Sequence, residues 1–194
     1  MKKFLLCIFK NTKIVRRKYY ASGIGTLLIN LIVKNIFRVY QCDFILHFTS
    51  RINKPKNITI KKSENNTTVY TSLASSSGCY YQAINGIQIG FGTIWAPNVM
   101  FISANHDFLN IKKSVVGEPI IIGDFTWIGA NSVFLPEVNI GNYCVVGAGS
   151  IVTKSFSDYS IIAGNPAKIL AMRCRKCLAK INLEEYICSN CKPK

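Results

Sequence analysis

Apolar side chains recur at every sixth position through the second half of the chain. They stand at Ile122, Ile128, Phe134, Ile140, Val146 and Val152, and the same spacing holds upstream at Ile89, Trp95 and Phe101. This period matches neither the 3.6-residue turn of an α-helix nor the two-residue alternation of a half-buried strand. It is typical of a parallel β-helix, in which short strands alternate with tight corners and each apolar side chain stacks inward on its equivalent in the next coil.

Small residues follow the apolar ones at fixed distances. The position directly after is often glycine, at Gly123, Gly129, Gly141 and Gly147, and the fourth position after is small or β-branched, at Thr126, Ser132, Val138, Cys144 and Ser150. We expect the glycines to adopt corner dihedrals that cost other residues about 1 kcal/mol or more.

The chain before the repeat follows other patterns. Residues 51–85 are polar and predict short strands and loops, whereas residues 1–50 are basic at first and then apolar from Gly23 to Tyr40. Leu27, Leu31 and Asn35 fall on helical spacing and predict a helix. A membrane-spanning helix needs about 20 consecutive apolar residues, and Lys34 interrupts this stretch. The helix either packs on the main domain or lies on a membrane surface as a basic amphipathic helix.

One interval breaks the six-residue period. Phe101 and Ile122 are 21 residues apart, so extra chain must loop out between them. The interval contains the segment SANHDF at residues 103–108. Loops on a rigid scaffold often carry catalytic residues, which makes His106 and its neighbours Asn105 and Asp107 candidates for chemistry.

The last part of the chain contains four closely spaced cysteines. Cys174 and Cys177 form one C-x-x-C pair, and Cys188 and Cys191 form another. The apolar run at residues 4–9 is too short for a signal-peptide core, so we expect a cytoplasmic, reducing location in which paired thiols indicate a metal site. Four thiolates suit a structural zinc ion and leave no open position for catalysis; four reduced thiols without metal are the alternative.

Basic residues far outnumber acidic ones. Lys and Arg number 24 against 9 Asp and Glu, a net charge of +15. Such an excess predicts an anionic partner, which can be nucleic acid, anionic lipid or a phosphate-bearing small molecule. A zinc-knuckle nucleic-acid binder is one hypothesis, suggested by the run RCRKC at residues 173–177, but it leaves the repeat and His106 unexplained.

From about residue 78 to residue 170 the chain resembles the hexapeptide-repeat acyltransferases. The resemblance rests on the segments IGDFTWIGA (122–130), IGNYCVVGAGSIVTK (140–154) and AGNPAK (163–168). It implies a left-handed parallel β-helix assembled as a homotrimer, an exception to the usual right-handed crossovers. Phe125 stands where the family usually has Asn, and Glu137 where it usually has Gly; both are corner positions, so we expect local backbone strain there.

The resemblance also implies roles for individual residues. The acetyl donor is acetyl-CoA, and His106 matches the histidine that acts as general base, an imidazole suited to that role near neutral pH. Asn105 and Asp107 are candidates for orienting the imidazole or the acceptor. The acetyl-CoA contacts map to Ala130, Ala148, Thr153, Lys154 and Lys168, with Arg173 as a substitute for a further basic residue that is Ala171 here. Each lysine can also be an ordinary solvated side chain.

These observations lead to a three-part organisation and a function. Residues 1–50 form a helical N-terminal segment, residues 51–170 a β-helix acyltransferase domain and residues 171–194 a zinc-binding tail. We predict acetyl transfer to a sugar hydroxyl in surface polysaccharide synthesis, on a free or lipid-linked sugar, with peripheral contact at the inner face of the membrane. N-acylation of an amino sugar is the nearest alternative, and nucleic-acid binding is disfavoured. Tyr81 and Asn85, with Tyr80 and Gln82, are candidate acceptor contacts.

Overall fold

The computed structural model describes residue 19, residues 22–61 and residues 66–192, and most of this chain winds into a parallel β-helix with three faces. Face A consists of β1 (Arg51–Asn53), β3 (Tyr80–Gln82), β6 (Met100–Ile102), β9 (Val133–Phe134) and β12 (Ile151–Val152). Face B consists of β2 (Ile58–Ile60), β4 (Ile87–Ile89), β7 (Ile120–Ile122) and β10 (Asn139–Ile140). Face C consists of β5 (Ile94–Trp95), β8 (Trp127–Ile128), β11 (Val145–Val146), β13 (Ser160–Ala163), β14 (Lys168–Arg173) and β15 (Lys180–Ile181).

The predicted column of inward apolar residues is confirmed. All nine residues of the six-residue period are at most 4% exposed. Equivalent residues lie 18 positions apart in successive coils, as in the pairing of Ile122 with Ile140 and of Ile128 with Val146. Burying one such side chain fully contributes about 1.5–3 kcal/mol, so the stacked column supplies the core of the domain.

Small residues beside the core link one coil to the next. Thr126 Oγ1 donates to the Gly141 carbonyl (3.1 Å) and Ser132 Oγ to the Gly147 carbonyl (3.1 Å), and both side chains are fully buried. A buried hydroxyl without such a partner would be costly. At Thr126 and Ser132 the hydroxyl therefore satisfies a carbonyl of the neighbouring coil.

The repeat glycines were expected to adopt corner dihedrals that are costly for other residues, and this was wrong. Gly123, Gly129, Gly141 and Gly147 do not adopt positive φ. They are needed for close approach instead, since a Cβ on Gly123 would come 2.5 Å from the backbone of Gly141, its equivalent in the next coil.

Left-handed backbone falls on other corner residues. Phe125, Tyr143 and Tyr159 have φ of 52°, 58° and 64°, and Glu137 has φ of 66°. Phe125 and Glu137, the two residues that differ from the usual family pattern, therefore both adopt the left-handed conformation, which is costly for a residue with a Cβ. At the corner between faces B and C, the ring of Tyr143 stacks on Phe125 (5.1 Å between centroids) and on Tyr159 (5.2 Å). Stacking of this kind is worth about 0.5–1.5 kcal/mol per pair and offsets part of the backbone cost.

The part before the repeat contains two helices. Helix α1 (Ile24–Asn35) lies where a helix was predicted. Helix α2 (Thr67–Ser75) was missed, because residues 51–85 were predicted to contain only strands and loops. Its buried side chains Val69, Leu73 and Ala74 have helical spacing, and packing on the first coil outweighs the strand preference of its Thr, Val and Tyr residues. Neither described helix is long and apolar enough to cross a membrane.

The C-terminal tail covers the last coil. β14 continues face C in antiparallel orientation beside β13, and β15 pairs with β14 in the same sense. Arg173 Nη1 donates to the Tyr143 carbonyl (3.0 Å), and its Nε donates to the Leu178 carbonyl (3.2 Å). The guanidinium thus holds the tail against the corner between faces B and C.

Candidate active site

The predicted loop leaves the β-helix at the corner between faces A and B. Ile89 and Ile122, which pair across it, are 33 residues apart, whereas Ile122 and Ile140 in the next coil are 18 apart, so the loop adds 15 residues. All residues from Asn105 to Val116 are exposed except Asp107, which is half-buried.

The two ends of the loop are fixed to the coil by side chains. Asn85 Nδ2 donates to the carbonyls of Ser103 (3.1 Å) and Val115 (3.0 Å), which lie on opposite ends of the loop. The Gln82 Oε1 atom accepts from the Ala104 N–H (2.9 Å). These bonds give Asn85 and Gln82 a role in positioning the loop, and their contact with the acceptor stays a prediction. The role depends on contacts distant in sequence, so no local signal could have revealed it.

Inside the loop the chain folds back on itself. His106 and Ser114 form an antiparallel bridge, and the Asp107 N–H donates to the Lys113 carbonyl (2.9 Å). Asp107 Oδ1 accepts from the N–H groups of Leu109 (2.8 Å) and Asn110 (3.4 Å). The carboxylate therefore stabilises the turn after His106, and the predicted role in orienting the imidazole is not seen in the single chain.

His106 itself is exposed at the base of the loop. Its ring forms no hydrogen bond with any described residue, and Asn105 contributes only its backbone carbonyl to the Val115 N–H (2.9 Å). An imidazole in this setting is free to accept a proton from a substrate hydroxyl. No described residue forms a hydrogen bond that orients that ring.

The outer part of the loop is apolar as well as exposed. Phe108 is 97% exposed, Leu109 99% and Val116 91%. Apolar side chains that are exposed next to each other, as Phe108 and Leu109 are, mark interaction sites more often than they occur on free monomers.

The predicted acetyl-CoA residues divide between two corners of the β-helix. Ala130 and Ala148, which come two residues after β8 and β11, lie at the corner between faces C and A, and Lys168 lies there too because it pairs with Ala163 at the end of β13. Thr153 and Lys154 follow β12, at the corner between faces A and B that also bears the His106 loop. The single chain therefore brings His106 and Lys154 to one corner and the two alanines to another.

The two alanines offer unused backbone donors. A Cβ on Gly129 would meet the Ala148 nitrogen at 2.5 Å, so the two alanine corners lie directly over each other. The Ala130 and Ala148 N–H groups have no acceptor in the described part of the chain. Nearby, the outward-facing Trp127 is 55% exposed, so it is not part of the core. Stacked N–H groups beside an exposed indole can bind the amide carbonyls of an extended ligand.

Two basic side chains of this set are free for an anion, and a third forms hydrogen bonds within the chain. Lys154 and Lys168 are exposed. Arg173 uses its Nη1 and Nε atoms for the carbonyls of Tyr143 and Leu178, and its contact with the phosphates of CoA stays a prediction.

Tyr81 was also assigned wrongly from the sequence. Its side chain is fully buried in the column, where its ring stacks on Phe101 (5.6 Å) and its hydroxyl accepts from Trp95 Nε1 (2.9 Å). It cannot reach an acceptor. Tyr81 and Phe101 lie 20 positions apart, off the period of six, which hides this core residue in the sequence.

The four tail cysteines come together. Their sulfur atoms all lie within 4.8 Å of one another, and the Sγ atoms of Cys177 and Cys188 are 3.5 Å apart. A tetrahedral site with Zn–S bonds of about 2.3 Å requires S–S separations of about 3.8 Å, which this cluster fits.

The ionisation of these thiols depends on their neighbours. Backbone N–H groups, first that of Cys188 and then that of Cys177, lower the pKa of Cys174 to about 6. The adjacent Cys188 and Cys177 thiols raise the pKa of Cys191 to about 12. Four thiolates this close therefore need a cation to balance their charge.

Known proteins resemble the repeat region. Residues 119–154 match the bacterial transferase hexapeptide (six repeats). A Dictyostelium discoideum protein named as an acetyltransferase is 39% identical over 96 residues, 48% of this chain and 50% of that protein. Galactoside O-acetyltransferase of Escherichia coli (strain K12) is 37% identical over 87 residues, 43% of each protein. The crystal structure of a maltose O-acetyltransferase from Clostridium difficile 630 has a TM-score of 0.53 and 28% identity, with 63% of each chain covered.

These similarities confirm the hexapeptide repeat, the left-handed β-helix and the resemblance to acetyltransferases. This chain spans about half the length of the sequence relatives that it matches. The matches therefore concern the repeat region and not the whole of those proteins.

Proposed function

We propose that this protein transfers an acetyl group from acetyl-CoA to a hydroxyl group of a sugar. The observation that carries the proposal is the exposed His106, whose ring has no described hydrogen-bond partner, on a 15-residue insertion into a hexapeptide-repeat β-helix. The sugar acceptor is supported by the galactoside and maltose O-acetyltransferases to which the repeat region is similar. A role in surface polysaccharide synthesis, on a free or lipid-linked sugar, fits this acceptor class.

In the reaction, the sugar oxygen attacks the thioester carbonyl carbon while the His106 imidazole removes the hydroxyl proton. The tetrahedral intermediate carries its negative charge on the former carbonyl oxygen, which backbone N–H groups can stabilise. Collapse of the intermediate breaks the carbon–sulfur bond. The CoA sulfur leaves with the proton from the imidazolium, which restores neutral His106.

The donor lies along the corner between faces C and A. The unused N–H groups of Ala130 and Ala148 bind amide carbonyls of the pantetheine arm, and Lys168 at the same corner attracts the phosphates. Thr153 and Lys154 lie at the other edge of face A. The basic excess of the chain suits a donor with several phosphate charges.

The active protein is a homotrimer. His106 and the two alanines lie at different corners of one chain, so the complete site requires the A/B corner of one subunit beside the C/A corner of the next. Such packing also covers the apolar loop residues Phe108, Leu109 and Val116, which are almost fully exposed in the single chain. Asn105 remains a candidate for contact with the acceptor across that boundary.

Zinc binds the four tail cysteines and stabilises the tail. Cys174, Cys177, Cys188 and Cys191 would hold the ion in a closed tetrahedral site, where it contributes folding free energy and no catalysis. The protein is cytoplasmic, in a reducing environment that keeps these thiols available, and touches the inner face of the membrane through residues 1–40.

The proposal is tested by assaying purified protein with acetyl-CoA and either a galactoside or glucosamine, and by following release of the CoA thiol. We expect acetylation of the galactoside, giving an ester that mild base removes. An amide product on glucosamine alone would show an N-acyltransferase. Thiol release that no acceptor stimulates, or no turnover with either acceptor, would contradict sugar acetylation.

A further inference from the structure

Helix α1 packs on the protein through a mixed polar and apolar side and turns an apolar side outward. Asn30 is fully buried, where its Nδ2 donates to the Ala74 carbonyl (2.9 Å) and its Oδ1 accepts from the Phe48 N–H (2.8 Å). Lys34 Nζ donates to the Phe44 carbonyl (2.9 Å). Leu27 and Leu31 pack on the same side against Tyr19, Ile45 and Ala74, so the helix has apolar residues on its inward side as well as on its outward side.

The outward side of α1 is a continuous apolar stripe. Residues four apart lie on one side of a helix, and here they are 38–64% exposed: Ile24, Leu28, Ile32 and the C-cap residue Ile36. Phe37 and Val39, directly after the helix, are 69% and 66% exposed. We refer to Ile24, Leu28, Ile32 and Ile36 as the α1 stripe.

A basic groove opens beside the end of the same helix. It has a volume of about 830 Å³ and lies between the end of α1, residues 40–44 and β2. Its charged lining residues are Lys34, Arg38 and Lys56 with a single acid, Asp43. None of these basic side chains forms an ion pair within the described residues. Tyr40 and Ile58 give the groove an apolar wall.

We propose that this groove binds the headgroup phosphate of an anionic phospholipid while the α1 stripe enters the apolar layer of the same leaflet. Unpaired cations beside an apolar wall match a phosphate that is attached to a hydrocarbon chain. An interfacial helix buries its apolar side about 5–10 Å into the leaflet, and basic residues at its end meet the headgroups. The net charge of +15 favours approach to an anionic surface.

This inference rests on the membrane contact proposed above, for which it supplies the site and the ligand, and it is independent of acetyl transfer. The groove is lined by residues between Lys34 and Phe44, by residues between Pro55 and Ile60 and by Tyr70, and neither His106 nor the acetyl-CoA corners are among them.

The test uses the full chain and sedimentation with vesicles of phosphatidylcholine, alone or with about one third phosphatidylglycerol. The groove variant is Arg38→Asn with Lys56→Gln, and Asn is chosen because Arg38 has φ of 49°, which asparagine tolerates. The control, Lys112→Gln with Lys113→Gln, removes the same charge from the exposed loop. We expect the groove variant to lose about tenfold or more in affinity for the anionic vesicles, and the control to lose about twofold or less.

A second variant, Leu28→Ser with Ile32→Ser, tests the α1 stripe. We expect it to reduce binding that persists at high salt, because insertion of apolar groups is not screened by ions. If this variant binds like the parent chain, something other than lipid covers the stripe, such as residues 1–18 or a second copy, and the proposal is overturned.

Other outcomes separate the proposals. If the parent chain binds and the groove variant and its control lose affinity equally, attraction is a general charge effect and the groove assignment fails. If no chain binds vesicles, the membrane contact itself fails, while acetyl transfer to a soluble sugar is unaffected. If inorganic phosphate or glycerol phosphate binds the groove tightly without vesicles, the ligand is a soluble phosphate compound and the lipid assignment is overturned.

Discussion

In the coils of the β-helix, every sixth side chain is buried and each coil repeats the contacts of the one before, as in the stacking of Tyr81, Phe101 and Phe134. The His106 loop, inserted into the same coils, buries almost none of its residues from Asn105 to Val116. Its shape comes from a few hydrogen bonds at its ends, chiefly those of Asn85. The coil interior thus supplies stability, whereas the loop presents His106 to solvent while adding little stability.

The largest expected effect separates activity from stability at His106. We expect His106→Ala to lower kcat/KM by roughly 10²–10⁴, the usual effect of losing a positioned general base. The melting temperature should stay close to that of the parent chain, because the exposed ring has no described partner. Tm must be measured beside the rate, since a loss caused by unfolding would be uninformative. A folded variant that keeps more than about a tenth of the parent kcat/KM, less than about 1.4 kcal/mol in barrier, would exclude His106 as the base.

A matched pair of Phe→Ala substitutions compares the two regions directly. Phe101 is fully buried in the coil column and Phe108 is 97% exposed on the loop. We expect Phe101→Ala to cost about 3–5 kcal/mol in the free energy of unfolding and Phe108→Ala less than about 1 kcal/mol, both measured by chemical denaturation. Equal losses at one protein concentration would show that the loop is part of the stable core. A loss at Phe108 that grows on dilution would instead report packing between subunits.

The same contrast decides what the sequence could predict. Each coil repeats the one before it, so its buried positions recur at a fixed spacing in the sequence. The inward apolar residues from Ile89 to Val152 were therefore predicted one by one. Tyr81 and helix α2 were not, since extra residues in the first coils break the period before Ile87. At the candidate site, the loop and His106 were visible as an interruption of the period. The anchoring by Asn85, and the use of Asp107 in a turn, depend on where the chain returns.

The tail extends the comparison to a region expected to depend on metal. We expect Cys188→Ser to lower bound zinc from about one equivalent per chain, because a closed site needs four thiolates. Limited proteolysis should then cut residues 174–192 first, while the coils keep their far-ultraviolet circular dichroism, since solenoid coils draw stability mainly from their neighbours. If elemental analysis of the parent chain shows well under one equivalent of zinc and the tail still resists protease, the four cysteines do not hold a structural zinc ion.

A smaller effect is expected where the coil holds the loop. Asn85→Ala removes the Nδ2 group that donates to the carbonyls of Ser103 and Val115. Each of these two hydrogen bonds is worth about 1 kcal/mol. We expect a lower kcat by about tenfold, with little change in the KM for acetyl-CoA, because loop position is loosened while the alanine corners are untouched. Asn85→Asp keeps the size and loses the donor, so it should behave like alanine. If the aspartate variant is fully active, the hydrogen bonds do not position His106.

The smallest effect concerns a corner of the coils where two contributions oppose each other. Phe125 has φ of 52°, a conformation in which asparagine is favoured over other residues with a Cβ. Phe125→Asn should therefore regain part of about 1–2 kcal/mol of backbone cost. The same change removes the stacking of Phe125 on Tyr143, 5.1 Å between centroids, which is worth about 0.5–1.5 kcal/mol. We expect the net change in the free energy of unfolding to be within about 1 kcal/mol.

The double variant of Phe125→Asn with Tyr143→Asn separates the two contributions, because the coupling energy between the two sites reports the stacking alone. No coupling between them would show that the stacking of Phe125 on Tyr143 contributes nothing to stability.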